Sequence, residues 1–87
     1  MIDARLEQDL QRCIPTTALS HKGYYKGKCR NASTARWDAE RDKWFYWREK
    51  FGQRFVESVQ TMEQAQENRL DYFAPIAEAA NTEEIPL

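Results

Sequence analysis

Lys43-Trp44-Phe45-Tyr46-Trp47-Arg48-Glu49-Lys50-Phe51-Gly52-Gln53-Arg54-Phe55-Val56-Glu57-Ser58-Val59-Gln60 is the stretch whose reading decides the fold. Four aromatic residues stand in a row at Trp44, Phe45, Tyr46 and Trp47. A helix spreads such a run over all its sides, whereas a strand sends alternate members to two faces. Aromatic and β-branched residues also suit strands. Gly52 stands where a tight turn needs a glycine. The stretch therefore predicts two antiparallel strands, 43–50 and 53–60. The competing reading is mostly α. Trp37, Trp44, Trp47, Phe51, Phe55, Val59 and Met62 fall at spacings that a long helix over roughly 33–68 accepts, with Asn31 or Ser33 as its cap.

Working outward, Asp38-Ala39-Glu40-Arg41-Asp42 is a polar interruption of hairpin length, and residues 35–38 read as a short strand. Residues 31–34 have turn chemistry. Gly23-Tyr24-Tyr25-Lys26-Gly27-Lys28-Cys29-Arg30 alternates loosely and reads as another strand, its glycines marking a bulge or a close backbone approach. Further upstream Ile2, Leu6, Leu10, Cys13 and Ile14 recur at helical spacing. Asp3 is a cap, Asp9 and Arg12 form an i,i+3 pair, and Pro15 is a stop. These predict a helix over 3–13 within a helical segment 1–15. Downstream, residues 61–68 read as a helical turn or an exposed loop. Arg69-Leu70-Asp71-Tyr72-Phe73-Ala74-Pro75 reads as a last strand, with Pro75 at its end or at the sheet edge. Residues 76–87 carry Glu78, Glu83 and Glu84 and read as a flexible acidic tail. The expected class is α+β: an N-terminal helix packed on a four- or five-stranded antiparallel meander over 22–75, closed by a loose acidic tail.

The composition fits one small domain of 87 residues. Charged residues make up 31% and the mean hydropathy is -0.87, so aromatics must supply much of the core. Each buries about 150–250 Å². The net charge of -1 argues against a constitutively basic nucleic-acid binder. The average hides an asymmetry: residues 20–54 hold ten Lys/Arg against four acids, and residues 55–87 hold one Arg against seven. The fold decides whether these halves neutralise each other or form opposed faces. No apolar run is long enough to span a bilayer, and no signal-peptide pattern opens the chain. The expected compartment is the cytoplasm of a host cell, where Cys13 and Cys29 are reduced thiols. The sequon at Asn31-Ala32-Ser33 has no meaning there.

The central residues carry a resemblance. Tyr25-x-Gly27-Lys28-x-Arg30-Asn31-Ala32, Ala35-x-Trp37, Phe45-x-Trp47-Arg48-x-Lys50-Phe51-Gly52 and Phe55-x-Glu57 are similar to a group of small proteins encoded by phages and prophages, mostly of unassigned function. The resemblance covers about half to two-thirds of the chain. Those sequences usually have Asn-Gly or Asp-Gly after the Trp, where this chain has the longer turn at 38–42. They also have a short acidic link where this chain has 61–68. The resemblance implies a β-rich fold and a mobile-element origin, and it carries no known active site with it.

Two clusters have a functional reading beside a plainer one. Lys22, Lys26, Lys28, Arg30 and Arg36, interleaved with Tyr24, Tyr25 and Trp37, read as a nucleic-acid or phosphate surface or as a solvated face that meets the acidic half. If 44–47 is a strand, either Trp44 and Tyr46 or Phe45 and Trp47 face away from the helix. They then form a partner-binding patch flanked by Arg48 and Arg54, or they are covered by the tail. The candidate partner-binding set is Tyr24, Tyr25, Lys26, Lys28, Arg30, Arg36, Trp37, Trp44, Tyr46 and Arg48. Asp38, Glu40 and Asp42 read as solvated acids in a turn. His21 lacks a nucleophile in a recognisable elbow, and Cys13 and Cys29 lack zinc spacing. No catalytic residue, metal or cofactor is therefore assigned.

The functional expectation is a non-enzymatic phage or prophage interaction protein that inhibits a host factor by occlusion, for example a counter-defence inhibitor of a CRISPR effector. The partner is a host protein or a protein–nucleic acid complex, and no membrane is involved. The chain itself acts as a monomer or a homodimer. The alternative is a small nucleic-acid-binding or regulatory protein that uses the basic aromatic stretch 22–37.

Overall fold

The computed structural model describes residues 4–29 and 32–87. It is α+β, with two helices on one face of a five-stranded antiparallel sheet, and the mostly α alternative is excluded. The strands are β1 (Lys22–Lys28), β2 (Thr34–Asp38), β3 (Lys43–Lys50), β4 (Gln53–Gln60) and β5 (Ala74–Glu78). Helix α1 is Ala4–Arg12 and α2 is Met62–Asn68. The sheet order is β4-β3-β2-β1-β5. The first four strands form the expected meander, while the fifth crosses the molecule to pair with β1.

The aromatic run resolves as a strand must. Trp37 pairs across from Trp44, and Tyr46 from Glu57, on the inner face. Arg36 pairs with Phe45, and Trp47 with Val56, on the outer face. The inner face carries the main core of Tyr25, Ala35, Trp37, Trp44, Tyr46, Val59 and Phe73. Trp44 sits at its centre. It meets Tyr25 edge-on at 5.6 Å, Trp37 at 5.0 Å and Phe73 at 4.8 Å, within the range of favourable aromatic pairs.

Helix α1 begins and ends within a residue of its expected bounds, and its apolar stripe builds a second cluster of Leu6, Met62 and Ala74 with Leu10, Cys13 and Tyr72. The Asp3 cap lies outside the described residues. Asp9 is buried and accepts a 2.5 Å hydrogen bond from the Tyr72 hydroxyl. Pro15 ends the helical segment, and a short 3-10 turn, Thr16–Ala18, leads to β1.

Of the two readings of residues 61–68 the helical one holds, while the last strand and the tail differ from the sequence reading. Thr61 caps α2 by accepting from the Gln64 amide at 3.2 Å, and Met62 and Ala65 are buried. The last strand is Ala74–Glu78 and not 69–75. Arg69 takes a left-handed conformation that ends α2, and Phe73 must dive into the core before pairing can start. Gly27 makes the β5 pairing possible. A β-carbon there would lie 2.2 Å from the Ala74 carbonyl oxygen and 2.7 Å from the Phe73 ring, and the register shifts beside it, between Lys26 and Gly27. The close approach expected of a strand glycine is found at this position. Finally, residues 79–87 lack regular structure but are not loose, because Ile85 is only 2% exposed.

Candidate functional site

The predicted partner-binding residues separate by face. Tyr25, Trp37, Trp44 and Tyr46 point inward and are buried, so they cannot meet a partner while the core is intact. Their assignment to a surface patch is corrected here. The sequence left open which alternate pair of the aromatic run faces in, and packing settles it: Trp44 and Tyr46 belong to the main core, with Phe73 against Trp44. Tyr24, Lys26 and Arg36 lie on the outer face, where Tyr24 pairs with Arg36 and Arg36 with Phe45. Lys28 is exposed near the end of β1, and Arg30 lies outside the described residues.

Arg48 also differs from its expected place. It lies on the inner face beyond the helices and holds both Glu57 carboxylate oxygens at 2.7 and 2.8 Å. The Tyr46 hydroxyl donates to the same carboxylate. The Tyr46 hydrogen bond and then the Arg48 guanidinium hold the Glu57 carboxyl below its ordinary pKa, and Glu57 raises that of Arg48.

The outer face is spanned by residues 79–87. The Ile85 amide donates to the Tyr24 hydroxyl at 2.5 Å, and the Ile85 carbonyl accepts from Arg36 at 2.6 Å. Glu83 takes two hydrogen bonds from Arg54, at 3.0 and 2.8 Å, and Arg54 in turn stacks 4.3 Å from the Trp47 ring centroid. The basic and acidic halves of the sequence therefore partly neutralise each other across this face. The Trp47 indole N–H is buried beneath and has no hydrogen-bond acceptor among the described residues. Such an unmet donor costs about 1–3 kcal/mol.

A feature the sequence reading did not single out lies at the tip of the β3–β4 hairpin. β2 pairs with β3 over Lys43, Trp44 and Phe45, so among the described residues β3 residues 46–50 pair with β4 alone. The turn is Phe51-Gly52, with φ of 52° and 75°. Two positive φ angles in a two-residue loop match the right-handed strand twist, and Asn-Gly is the usual sequence for it. Here a phenylalanine holds the strained first position and is 93% exposed. Lys50 Nζ stands 5.6 Å from its ring centroid, and Phe55 nearby is 38% exposed. The signal was present in the Lys50-Phe51-Gly52-Gln53 turn, where an aromatic replaces the expected asparagine.

The turn at 38–42 has a structural role. Asp38 is buried, contrary to the solvated reading, and accepts from the Glu40 and Arg41 amides at 3.0 and 3.4 Å and from Arg41 Nη1 at 2.9 Å. Burial acts to raise its pKa, but the two amides and the charges of Arg41 and Lys22 outweigh that and hold the carboxyl below its ordinary value. His21 lies 3.5 Å from Glu40 at the exposed surface. Cys13 and Cys29 are free thiols in different clusters, and burial pushes the Cys13 thiol up. No helix of the described residues is long and apolar enough to cross a membrane.

Comparison with family models, with curated proteins and with solved structures gives no significant match.

Proposed function

We propose that this chain is a non-enzymatic interaction protein of phage or prophage type, which binds a host protein and blocks it by occupying its surface. A counter-defence inhibitor acting in the host cytoplasm, for example on a CRISPR effector, is its concrete form. The observation that carries the reading is Phe51: a large apolar ring, 93% exposed, on a backbone that disfavours it. Positive φ costs a residue with a β-carbon roughly 1–2 kcal/mol, and exposure returns nothing to the folded chain. Strain of this kind collects where binding uses it. Phe51 and Phe55 are both exposed on this hairpin, and phenylalanine is enriched at the cores of protein interfaces.

The test is affinity capture from host lysates with the tagged chain and its Phe51→Ser variant in parallel. The expected result is a stoichiometric protein partner held by the native chain and lost by the folded variant. Capture that ignores Phe51 counts against the hairpin tip, and no partner across several hosts counts against the whole reading. The basic residues Lys22, Lys26 and Lys43 on the outer face support the second reading, nucleic-acid binding. That reading requires binding that weakens steeply with salt, and absence of binding to single- and double-stranded probes at low salt removes it.

A further inference from the structure

The outer face holds residues 82–85 in a way that goes beyond covering apolar surface. Ile85 is contacted through both its amide and its carbonyl, by Tyr24 of β1 and Arg36 of β2. Glu83, two residues earlier, is gripped through both oxygens by Arg54 of β4. A planar guanidinium fork on a carboxylate is a geometry of recognition, and here the stack on Trp47 orients the fork. The three gripping side chains come from three strands, so the site exists only in the folded sheet. The grip is also incomplete. A groove of about 350 Å³ persists beside the segment, lined in part by Ser33, Thr34 and Trp47. The Trp47 N–H under it finds no acceptor among the described residues.

We propose that this face is a recognition surface for an extended acidic peptide of a partner protein, with a glutamate two residues before an isoleucine. Residues 82–85 occupy it as a built-in competitor. Arg54 reads the glutamate, Tyr24 and Arg36 fix the backbone at the isoleucine, and Trp47 offers the bond that the resident segment leaves unmade. The resident segment is tethered, so it competes at an effective concentration of roughly millimolar. A partner peptide must therefore bind more tightly than the resident one, and the Trp47 donor is where that advantage arises. This surface is separate from Phe51, and the proposal does not depend on the role of the hairpin tip.

The experiment measures fluorescence anisotropy of a labelled synthetic peptide, Ala79-Ala80-Asn81-Thr82-Glu83-Glu84-Ile85-Pro86-Leu87, against the full chain and against the full chain carrying Ile85→Ser. The Ile85→Ser chain, with its own segment unlatched, is expected to bind saturably and about tenfold or more tighter than the native chain. Adding Arg54→Glu to that chain removes binding, and a peptide carrying Glu83→Arg restores it. No saturable binding to a folded Ile85→Ser chain, equal binding by both chains, or indifference to the charge exchange each overturns the proposal. If Ile85→Ser does not fold, Glu83→Arg is the second unlatched chain. Failure of both to fold makes the segment part of the core and overturns the proposal as well. A native chain that dimerises by exchanging this segment also overturns it, in favour of a second copy as the occupant.

Discussion

Phe51 is the residue at which stability and the proposed function pull apart. Asparagine accepts the left-handed conformation that phenylalanine resists. Phe51→Asn is therefore expected to stabilise the fold by about 0.5–1 kcal/mol, after losing the weak Lys50–ring contact. For a chain of this size that raises Tm by roughly 2–8 °C, measurable by circular dichroism. The same variant is expected to lose the captured partner. An unchanged or lower Tm removes the argument from strain. Gly27 makes the opposite case. A methyl group there runs into the Ala74 carbonyl and the Phe73 ring, so Gly27→Ala is expected to cost about 1–3 kcal/mol in urea denaturation. Asp38 belongs with Gly27, since its carboxylate satisfies two turn amides, and Asp38→Ala is expected to cost a similar amount.

At the scale of elements, legibility followed periodicity. Strands β3 and β4 were readable to the residue, because four adjacent aromatics have no good helical placement and Gly52 marks the turn. Helix α1 was readable from Leu6, Leu10 and Pro15. Strand β5 was misplaced, since Leu70, Tyr72 and Phe73 look like a strand face. In the fold Leu70 is exposed while Phe73 is fully buried. Local pattern cannot show that a segment crosses a sheet to reach β1. Helix α2 is only seven residues long and polar, and its start is fixed by Thr61. Thr61→Ala is expected to cost about 1 kcal/mol through loss of that cap, checked by the shift in the urea midpoint. Strand alternation places Tyr24, Lys26 and Arg36 on one face, but it does not choose between the alternate aromatics.

For the whole molecule, the fold converts an electrically divided sequence into a set of short-range pairs. Arg48 with Glu57, Arg41 with Asp38 and Arg54 with Glu83 set opposite charges in contact. Asp38 and Glu57 both have folded-state pKa values below their ordinary ones. The stability they contribute is fully present above the ordinary carboxylate range and is lost as pH falls through the lower folded values. The urea midpoint, followed by tryptophan fluorescence, is therefore expected to be flat from about pH 7 to pH 5 and to fall below about pH 4. Glu57→Gln is expected to make that acid decline shallower. A midpoint that rises on acidification contradicts the sign.

The sequence by itself determined the class and most of the sheet. Strand alternation, turn residues and a proline stop are local signals, and each depends on a few neighbouring residues. Only the tertiary structure decided which aromatic face is core, because that depends on distant residues such as Phe73 packing against Trp44. It also decided that β5 joins β1, and that Ile85 is held by Tyr24 and Arg36, more than forty positions upstream in sequence. These are contacts between distant segments, set by burial and by hydrogen-bond partners that no short window of sequence contains.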